Sequence, residues 1–587
     1  MRRLSSWKSS REQILEIVRI LDKATTRKAA KFCLLGILLN LLDIIGIFLF
    51  ATFASGVANL VQGSQSKTRL ENLLSEFLPV QLNATSFLGV VAGAMLGALM
   101  TKTTLSALLN RRLLSFLAIE ETKFALLTFR GCRLLNGEKF YSRTAEEFYY
   151  AISTSSARIF NGIIYPLIQL LTEIFLLFFV FVLLLIVSPM ATIFSTILLI
   201  GSASIIGRLA HRKTSMSSKL LVKNSVRTQE IARQVYEGFR ELRNFNSVDL
   251  LDTDFEKARG EFAKNQANII WYQQLPRYSL EALVIISAAF LAIYEVNSSD
   301  IRTALVKLSL YMITVFRILP SFQRVQSASL AITSGLIASK LSRQIIASGE
   351  NIEKPIKTSF KKPQDQAIAK IIVSKLSYVY PNSKVPTLVN VTTKILGKRI
   401  VGMSGPSGIG KSTFLDVLTG VREPTTGNVI FLNSRNQQLK PSIAYVPQRP
   451  FLLNDSLLVN VTLSVNNSIE DIQRVKQLFS IFFDNESLKP SEEPLSVESI
   501  IHNGSNSISG GQVQRIAIMR AIFADTDMLV LDECFSGLDN KRIEAIFTEL
   551  RKERMKKTIL VVSHSKLVLN LCDASYVLSA RKLRKFK

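Results

Sequence analysis

Apolar runs long enough to cross about 30 Å of hydrocarbon occur six times before residue 330. They lie at roughly Phe32–Phe53, Phe87–Met100 with its flanks, Ile163–Val187, Ala191–Leu209, Leu280–Val296 and Ile301–Leu319. The third, IIYPLIQLLTEIFLLFFVFVLLLIV, is the most continuous. In the second, Gly89, Gly93 and Gly97 recur every four residues. That spacing puts them on one helix face and predicts close packing against a neighbouring helix. Residues 340–367 lose the apolar pattern and gain Pro, Lys and Ser, which predicts a linker. From residue 368 onward short β-branched runs (RIVGMSG, NVIFL, DMLVLDE, TILVVSH) alternate with helical stretches, the pattern of an α/β domain. The expected organisation is an N-terminal helix at 1–30, a six-span α-helical transmembrane domain at 31–339, the linker, and an α/β domain at 368–587.

Composition sharpens this division. The 587 residues hold 72 Lys+Arg against 45 Asp+Glu, a net charge of +27, with 48% hydrophobic residues. A disordered or collagenous chain is excluded. A mean hydropathy of +0.25 beside 20% charged residues fits a lipid-embedded part joined to a charged soluble part. The positive excess is present on both sides of residue 367: 43 basic and 26 acidic residues before it, 29 and 19 after it. Charge therefore marks no nucleic-acid-binding domain, and the basic tail at 581–587 reads as solvated or facing anionic lipid. No nucleic-acid partner is expected. Cys33, Cys132, Cys534 and Cys572 are widely spaced, which argues against a disulfide framework or a zinc site and for reducing surroundings.

The basic start MRRLSSWKSSR leads into an amphipathic segment rather than a short apolar core, so no cleavable signal peptide is expected. The connections at 101–150 and 207–278 carry 8 and 13 Lys/Arg, whereas the 59–83 connection has only Lys67 and Arg69 against Glu71 and Glu76. The positive-inside rule puts the N-terminus, both long connections and the C-terminal domain in the cytoplasm of a cell-membrane protein. The second long connection reads as two helices running out and back, turning near Tyr236–Asn246. Within the spans, Asp43, Glu173, Glu281 and Arg317 are costly to bury. Interhelical ion pairing and the lining of a polar substrate path both remain open for them.

The C-terminal domain carries recognisable phosphate chemistry. Gly405-Pro406-Ser407-Gly408-Ile409-Gly410-Lys411-Ser412 is a complete GxxxxGK[ST] between a strand and a helix, with Thr413 next. Its glycines let backbone N–H groups close on phosphate oxygens, Lys411 reaches the outer phosphates, and Ser412 can ligate Mg²⁺. Farther on, Met528-Leu-Val-Leu-Asp532-Glu533 reads as a buried strand ending in two carboxylates. Asp532 can hold a metal's hydration shell and Glu533 can polarise an attacking water. Between these motifs, Ile508-Ser509-Gly510-Gly511-Gln512 opens a helix.

With these motifs in order, the chain resembles the ATP-binding cassette (ABC) family, whose signature is LSGGQ; Ile508 stands in the first position. The resemblance implies ATP and Mg²⁺ as cofactors and ATPase activity. It assigns Tyr380 to stacking on adenine, Gln448 to the Q-loop and the metal, Asp539 to the D-loop and His564 to the switch histidine. Two departures stand out: Gly537 where the family usually has Ala, and SIIHNGSNS before the signature, without the acidic residue expected in exporters. Six spans fused to one cassette look like a half-size exporter, in which one chain's P-loop faces the other's signature. A dimer follows, and the intact set of motifs favours a homodimer over a heterodimer. The stretches YMITVFRILPSFQRV, PRYSLEALV and the insert at 64–80 resemble lipid-linked oligosaccharide flippases. In that comparison Arg302, Lys307 and Arg317 are candidates to bind an anionic head group. A lipid, lipid A-type or multidrug exporter and an ATP-gated channel or regulator stay as alternatives.

Overall fold

The computed structural model describes residues 2–62, 84–187, 189–245, 249–298, 301–349, 367–381, 383–483, 496–501, 508–579 and 582–585. The insert at 64–80 and residues 502–507 of SIIHNGSNS lie outside the described residues, as do the side chains of Asp43, Arg302, Lys307 and Arg317. The chain divides into two compact units, Met1–Leu135 with Lys139–Lys354, and Asn136–Glu138 with Pro355–Lys587.

The first unit is helical. Its long helices are α1 (Arg2–Ile20), α2 (Lys23–Gln62), α3 (Ala84–Leu134), α4 (Tyr165–Val187), α5 (Pro189–Glu237), α6 (Asp249–Ser298) and α7 (Ile301–Ala338). Each of the six apolar runs lies within one of α2 to α7, except that the third begins two residues ahead of α4. Among the described residues, three helical stretches are long and apolar enough to cross a membrane: Lys23–Gly46, Ser86–Leu134 and Ala145–Val182. At about 1.5 Å per residue, the 51 residues of α3, 49 of α5 and 50 of α6 reach well beyond a bilayer's hydrocarbon core. On α2, Leu34, Leu35 and Leu38 are 60%, 46% and 50% exposed, apolar surface suited to lipid or a second chain.

Two expectations need correction. Residues 340–348 are not linker but a helix, α8 (Lys340–Ser348). Its Ile345 is fully buried beside Cys132 and Ala151, and Arg343 donates to Glu16 Oε2 at 2.9 Å and to Leu336 O at 3.0 Å. The amphipathic spacing of Leu341, Ile345 and Ile346 was masked by the polar residues around it. Nor does the glycine stripe form a packing seam among the described residues: a Cβ built on Gly89, Gly93 or Gly97 meets nothing within 4 Å there. The close approach lies elsewhere, at Gly335 of α7, where a Cβ would sit 2.6 Å from Gly162 O. Gly162 belongs to the second of two π-helical turns, Ala151–Ser155 and Phe160–Ile164, that precede α4. Such turns insert an extra residue into a helical run and re-aim the helix that follows.

The second unit pairs two sheets. Strands β1 (Lys370–Tyr378), β2 (Leu388–Leu396), β4 (Thr426–Leu432) and β5 (Gln438–Leu439) form an antiparallel sheet in the order β2-β1-β4-β5. The larger sheet runs β12-β11-β3-β10-β9-β6, from β12 (Lys582–Lys585), β11 (Ala574–Ser579), β3 (Ile400–Ser404), β10 (Thr558–Val562), β9 (Met528–Asp532) and β6 (Ile443–Val446). All its pairings are parallel except β11 with β12. Every residue of β9 and β10 is buried, which is why both read as unbroken apolar runs rather than alternating ones. One core fills the space between the sheets and another lies under the helices on the far side. A minor pair, β7 (Asp455–Ser456) with β8 (Ile500–Ile501), borders the second core.

Candidate active site

Four neighbouring parallel strands deliver the candidate residues to one edge. β3 ends at Ser404 and runs into the P-loop, and β10 ends two residues before His564. β9 ends at Asp532 with Glu533 next, and β6 ends two residues before Gln448. Ligands of open parallel sheets bind outside the carboxyl ends of the strands, so the topology alone converges these residues.

The P-loop turns sharply into α9 (Lys411–Leu418), with Gly410 as N-cap in a left-handed conformation, φ +105°. A side chain at Gly410 would be strained there and would press on Leu388 and Thr387 at 3.1 Å. Ser407 and Gly408 are exposed, while Ile409 packs against the inter-sheet core. Lys411 is 8% exposed. Its Nζ donates to Gly405 O at 2.7 Å and Pro406 O at 3.3 Å, lies 3.0 Å from His564 Nε2 and stands 3.9 Å from Glu533 Oε1. His564 Nε2 is also 3.3 Å from Glu533 Oε1. With Nε2 unprotonated it accepts from the lysine; with Nε2 protonated it donates to the carboxylate. Gln448 Nε2 donates to Glu533 Oε2 at 2.9 Å, so both oxygens of Glu533 are engaged.

Glu533 holds φ +51°, an uncommon conformation for a residue with a side chain, and its N–H donates to Val562 O at 3.0 Å. The left-handed turn at Glu533 separates its carboxylate from that of Asp532, the last residue of β9. Asp532 is 7% exposed and accepts from Tyr445 OH at 2.8 Å. Burial pushes its carboxyl above the usual range, the Tyr445 hydrogen bond draws it down, and the neighbouring Glu533 pushes it up again. Tyr445 was missed from sequence, because its strand neighbours Asp532 only through the β6–β9 pairing. Ser412 and Gln448 are exposed beside this edge. The oxygen donors of Ser412, Gln448 and Asp532 suit a hard cation such as Mg²⁺. Among the described residues no group of three or more His, Cys, Asp or Glu side chains could cage a metal. Phosphate and water oxygens would supply the remaining ligands. Tyr380 OH lies 2.9 Å from Thr413 Oγ1, joining the expected adenine platform to the first turn of α9.

The signature residues open α12, reached after α10 (Leu457–Thr462) and α11 (Ile469–Phe482); α12 spans Gly510–Phe523. Ser509 is its N-cap in a full capping box: Ser509 Oγ accepts from Gln512 N at 3.2 Å and Gln512 Oε1 accepts from Ser509 N at 2.8 Å. The other end is held by Lys557, only 1% exposed, whose Nζ donates to Ile522 O at 3.1 Å and Ala524 O at 3.0 Å. Arg520 Nε donates to Asn460 O at 2.7 Å and its Nη1 to Phe451 O at 2.9 Å, tying α12 to the segment after Gln448. Among the described residues, no hydrogen bond of Ser509, Gln512 or Asp539 reaches the P-loop. Asp539 caps α13 (Asn540–Glu553), accepting from Arg542 N at 2.9 Å. Gly537 has a packing reason: its carbonyl would lie 3.1 Å from a Cβ on Gly511, and its own Cβ would come 3.1 Å from Gln514 Oε1.

In the helical unit, Glu173 is 8% exposed and forms a two-pronged ion pair with Arg324, Nε to Oε1 at 2.6 Å and Nη2 to Oε2 at 3.2 Å. Ser321 Oγ accepts from the same guanidinium at 3.1 Å. The partner is thus Arg324, seven positions beyond Arg317. Glu281 pairs along its own helix with Arg277 at 2.8 Å.

Residues 388–536 match the ABC transporter family. The chain is 34% identical over 216 residues to the lactococcin-G-processing and transport ATP-binding protein LagD of Lactococcus lactis subsp. lactis, covering 35% of this chain and 30% of that protein. It is 24% identical over 371 residues to an ATP-dependent lipid A-core flippase of Photorhabdus laumondii subsp. laumondii, 62% of each chain. A flippase of the same name from Cupriavidus pinatubonensis is 27% identical over 259 residues, 42% of each. The matched stretches span less than two thirds of each of these relatives. The structure of a bacterial Atm1-family ABC exporter with ATP bound superposes with a TM-score of 0.76 at 16% identity, covering 96% of this chain and 95% of the other. The fold is that of an ABC exporter: a helical N-terminal domain followed by an ABC cassette.

Proposed function

We propose that this chain, a half-size ABC exporter in its fold, is an ATP-driven translocase that works as a homodimer and moves an amphipathic substrate across or between the leaflets of a membrane. The observation that carries this reading is the four-strand edge where Lys411, His564, Glu533 and Gln448 stand together, each within 4 Å of another. The capped N-terminus of α12, built for an anion, belongs to no part of that group. A second copy supplies it: Ser509–Gln512 of one chain faces the phosphates held by residues 405–413 of the other, with Asp539 at the seam. Family matches over the cassette and relatives named lipid A-core flippases support the reading.

In this scheme the P-loop N–H groups and Lys411 bind the outer phosphates, and Tyr380 stacks on adenine. Ser412, Asp532 and Gln448 would hold Mg²⁺, which would supply charge neutralisation at the phosphoryl oxygens. Glu533 orients the attacking water and accepts its proton, held in place by Gln448 and His564. The N-terminus and cassette lie in the cytoplasm, following the basic loops. Among substrates we favour a lipid-linked oligosaccharide. The alternatives are a lipid, a lipid A-type molecule or a multidrug substrate, with an ATP-gated channel or regulator as a further contrast.

Vesicles holding the purified chain test this. ATP hydrolysis and leaflet transfer of labelled lipids are measured across a panel of lipids and lipid-linked sugars. Stimulated hydrolysis accompanied by ATP-dependent transfer is the expected result. Hydrolysis that no lipid stimulates and that drives no transfer would sink the translocase reading.

A further inference from the structure

Tyr380 is braced from more than one side. Its ring meets Tyr378 edge-on, centroids 5.1 Å apart and planes at 89°. The Arg422 guanidinium lies over its face, 4.9 Å from the centroid. Arg422 is itself fixed: its Nε donates to Asp416 Oδ2 at 2.9 Å, its Nη1 donates to Tyr378 OH at 3.1 Å, and its side chain is 12% exposed. Both Asp416 and Thr413, the partner of Tyr380 OH, lie on α9, the helix that opens with Lys411.

We propose that Arg422 is a positioning residue for the nucleobase: it closes one face of Tyr380 and ties the ring to the phosphate-binding helix, so that a purine stacks only on the opposite face and in fixed register with the P-loop. This rests on the reading of Tyr380 as the adenine platform. A guanidinium over an aromatic face is attracted by the ring quadrupole, and its planar fork lets it grip Asp416 while lying flat. An aromatic ring held in advance loses less freedom when a ligand arrives. Lysine would keep the charge but lose the planar stack and the fork. The sequence gives little hint of this, since Arg422 sits in an exposed-looking turn, VREPTTG, more than forty positions from Tyr380.

A brace that merely stabilises the domain would affect every ligand alike, whereas a nucleobase brace affects only ligands with a base. Binding of ATP and of inorganic tripolyphosphate to the full-length chain is therefore compared for the parent, Arg422→Ala, Arg422→Lys and Tyr380→Ala. Arg422→Ala is expected to weaken ATP about tenfold, ~1.4 kcal/mol, and to leave tripolyphosphate within about twofold of the parent. KM for ATP should rise by the same factor at near-constant kcat, and Arg422→Lys should recover only part of the loss. Equal losses for both ligands, or an unchanged ATP affinity, overturn the proposal. If Arg422→Ala does not fold, Arg422→Lys carries the same comparison. Tyr380→Ala separates the two levels: no selective loss of ATP there defeats the platform reading itself. Selective loss there without any in the Arg422 variants defeats only the role of Arg422.

Discussion

Glu533 occupies a left-handed backbone position and spends both carboxylate oxygens on Gln448 and His564. Its amide partner would keep the shape and the contact with Gln448 but could not take a proton. Glu533→Gln should therefore lower hydrolysis by about 10²-fold or more while retaining ATP, as read by turnover beside nucleotide binding; near-parental turnover would show that another group is the base. Under the proposed reading, in which the Lys411 ammonium faces the phosphates, Lys411→Ala should act on binding. Equal ATP affinity in parent and variant would remove that role. At this scale the sequence was most legible where the chemistry is contiguous: the P-loop and the Asp532-Glu533 pair declare themselves within a few residues. Tyr445 and Arg422 were not legible, because each acquires its role from a partner brought near only by strand pairing or by a turn of the chain.

Single helices show how tightly local sequence is bound to the site. The helix α12 is pinned at its start by Ser509 with Gln512 and at its end by the buried Lys557. Ser509→Ala should cost about 1 kcal/mol of cassette stability. Lys557→Met should cost about 1–3 kcal/mol by leaving two helix-end carbonyls without their donor. Thermal unfolding checks both, and an unchanged midpoint in either would mean that solvent replaces the cap freely. In the helical unit the sequence pattern located the long helices well but misjudged where they touch. The stripe Gly89, Gly93 and Gly97 had the spacing of a seam, yet the close backbone approach pairs Gly162 with Gly335, whose neighbours give no repeating signal. Gly335→Ala would force a Cβ to 2.6 Å from Gly162 O. We expect a loss of about 1–3 kcal/mol, seen as a lower unfolding temperature of the detergent-purified chain; full tolerance would show that the crossing is loose.

At the scale of the molecule the chain carries a net charge of +27, yet the buried Glu173 is compensated by Arg324. Removing Arg324 strands the buried Glu173 carboxylate, and Arg324→Ala should destabilise by about 2–3 kcal/mol, below the loss for a fully buried pair because Arg324 keeps partial exposure. Arg324→Ala combined with Glu173→Ala should recover most of that loss in unfolding measurements; no recovery would mean that the two residues act independently. Division into a helical and an α/β part was legible from hydropathy because the two solvents demand different side chains. Residues 340–348 escaped because a short amphipathic helix beside a polar stretch looks like linker. The Gly162–Gly335 crossing has a mechanical consequence. It lies near one end of α7, 34 residue steps from Ile301, so the longer arm measures about 50 Å. Two backbones in contact with no side chain between them make a fulcrum, and a rotation of only about 10° there would sweep the tip of that arm through about 9 Å. A small angular change at the crossing is geared into a displacement as large as the width of a helix.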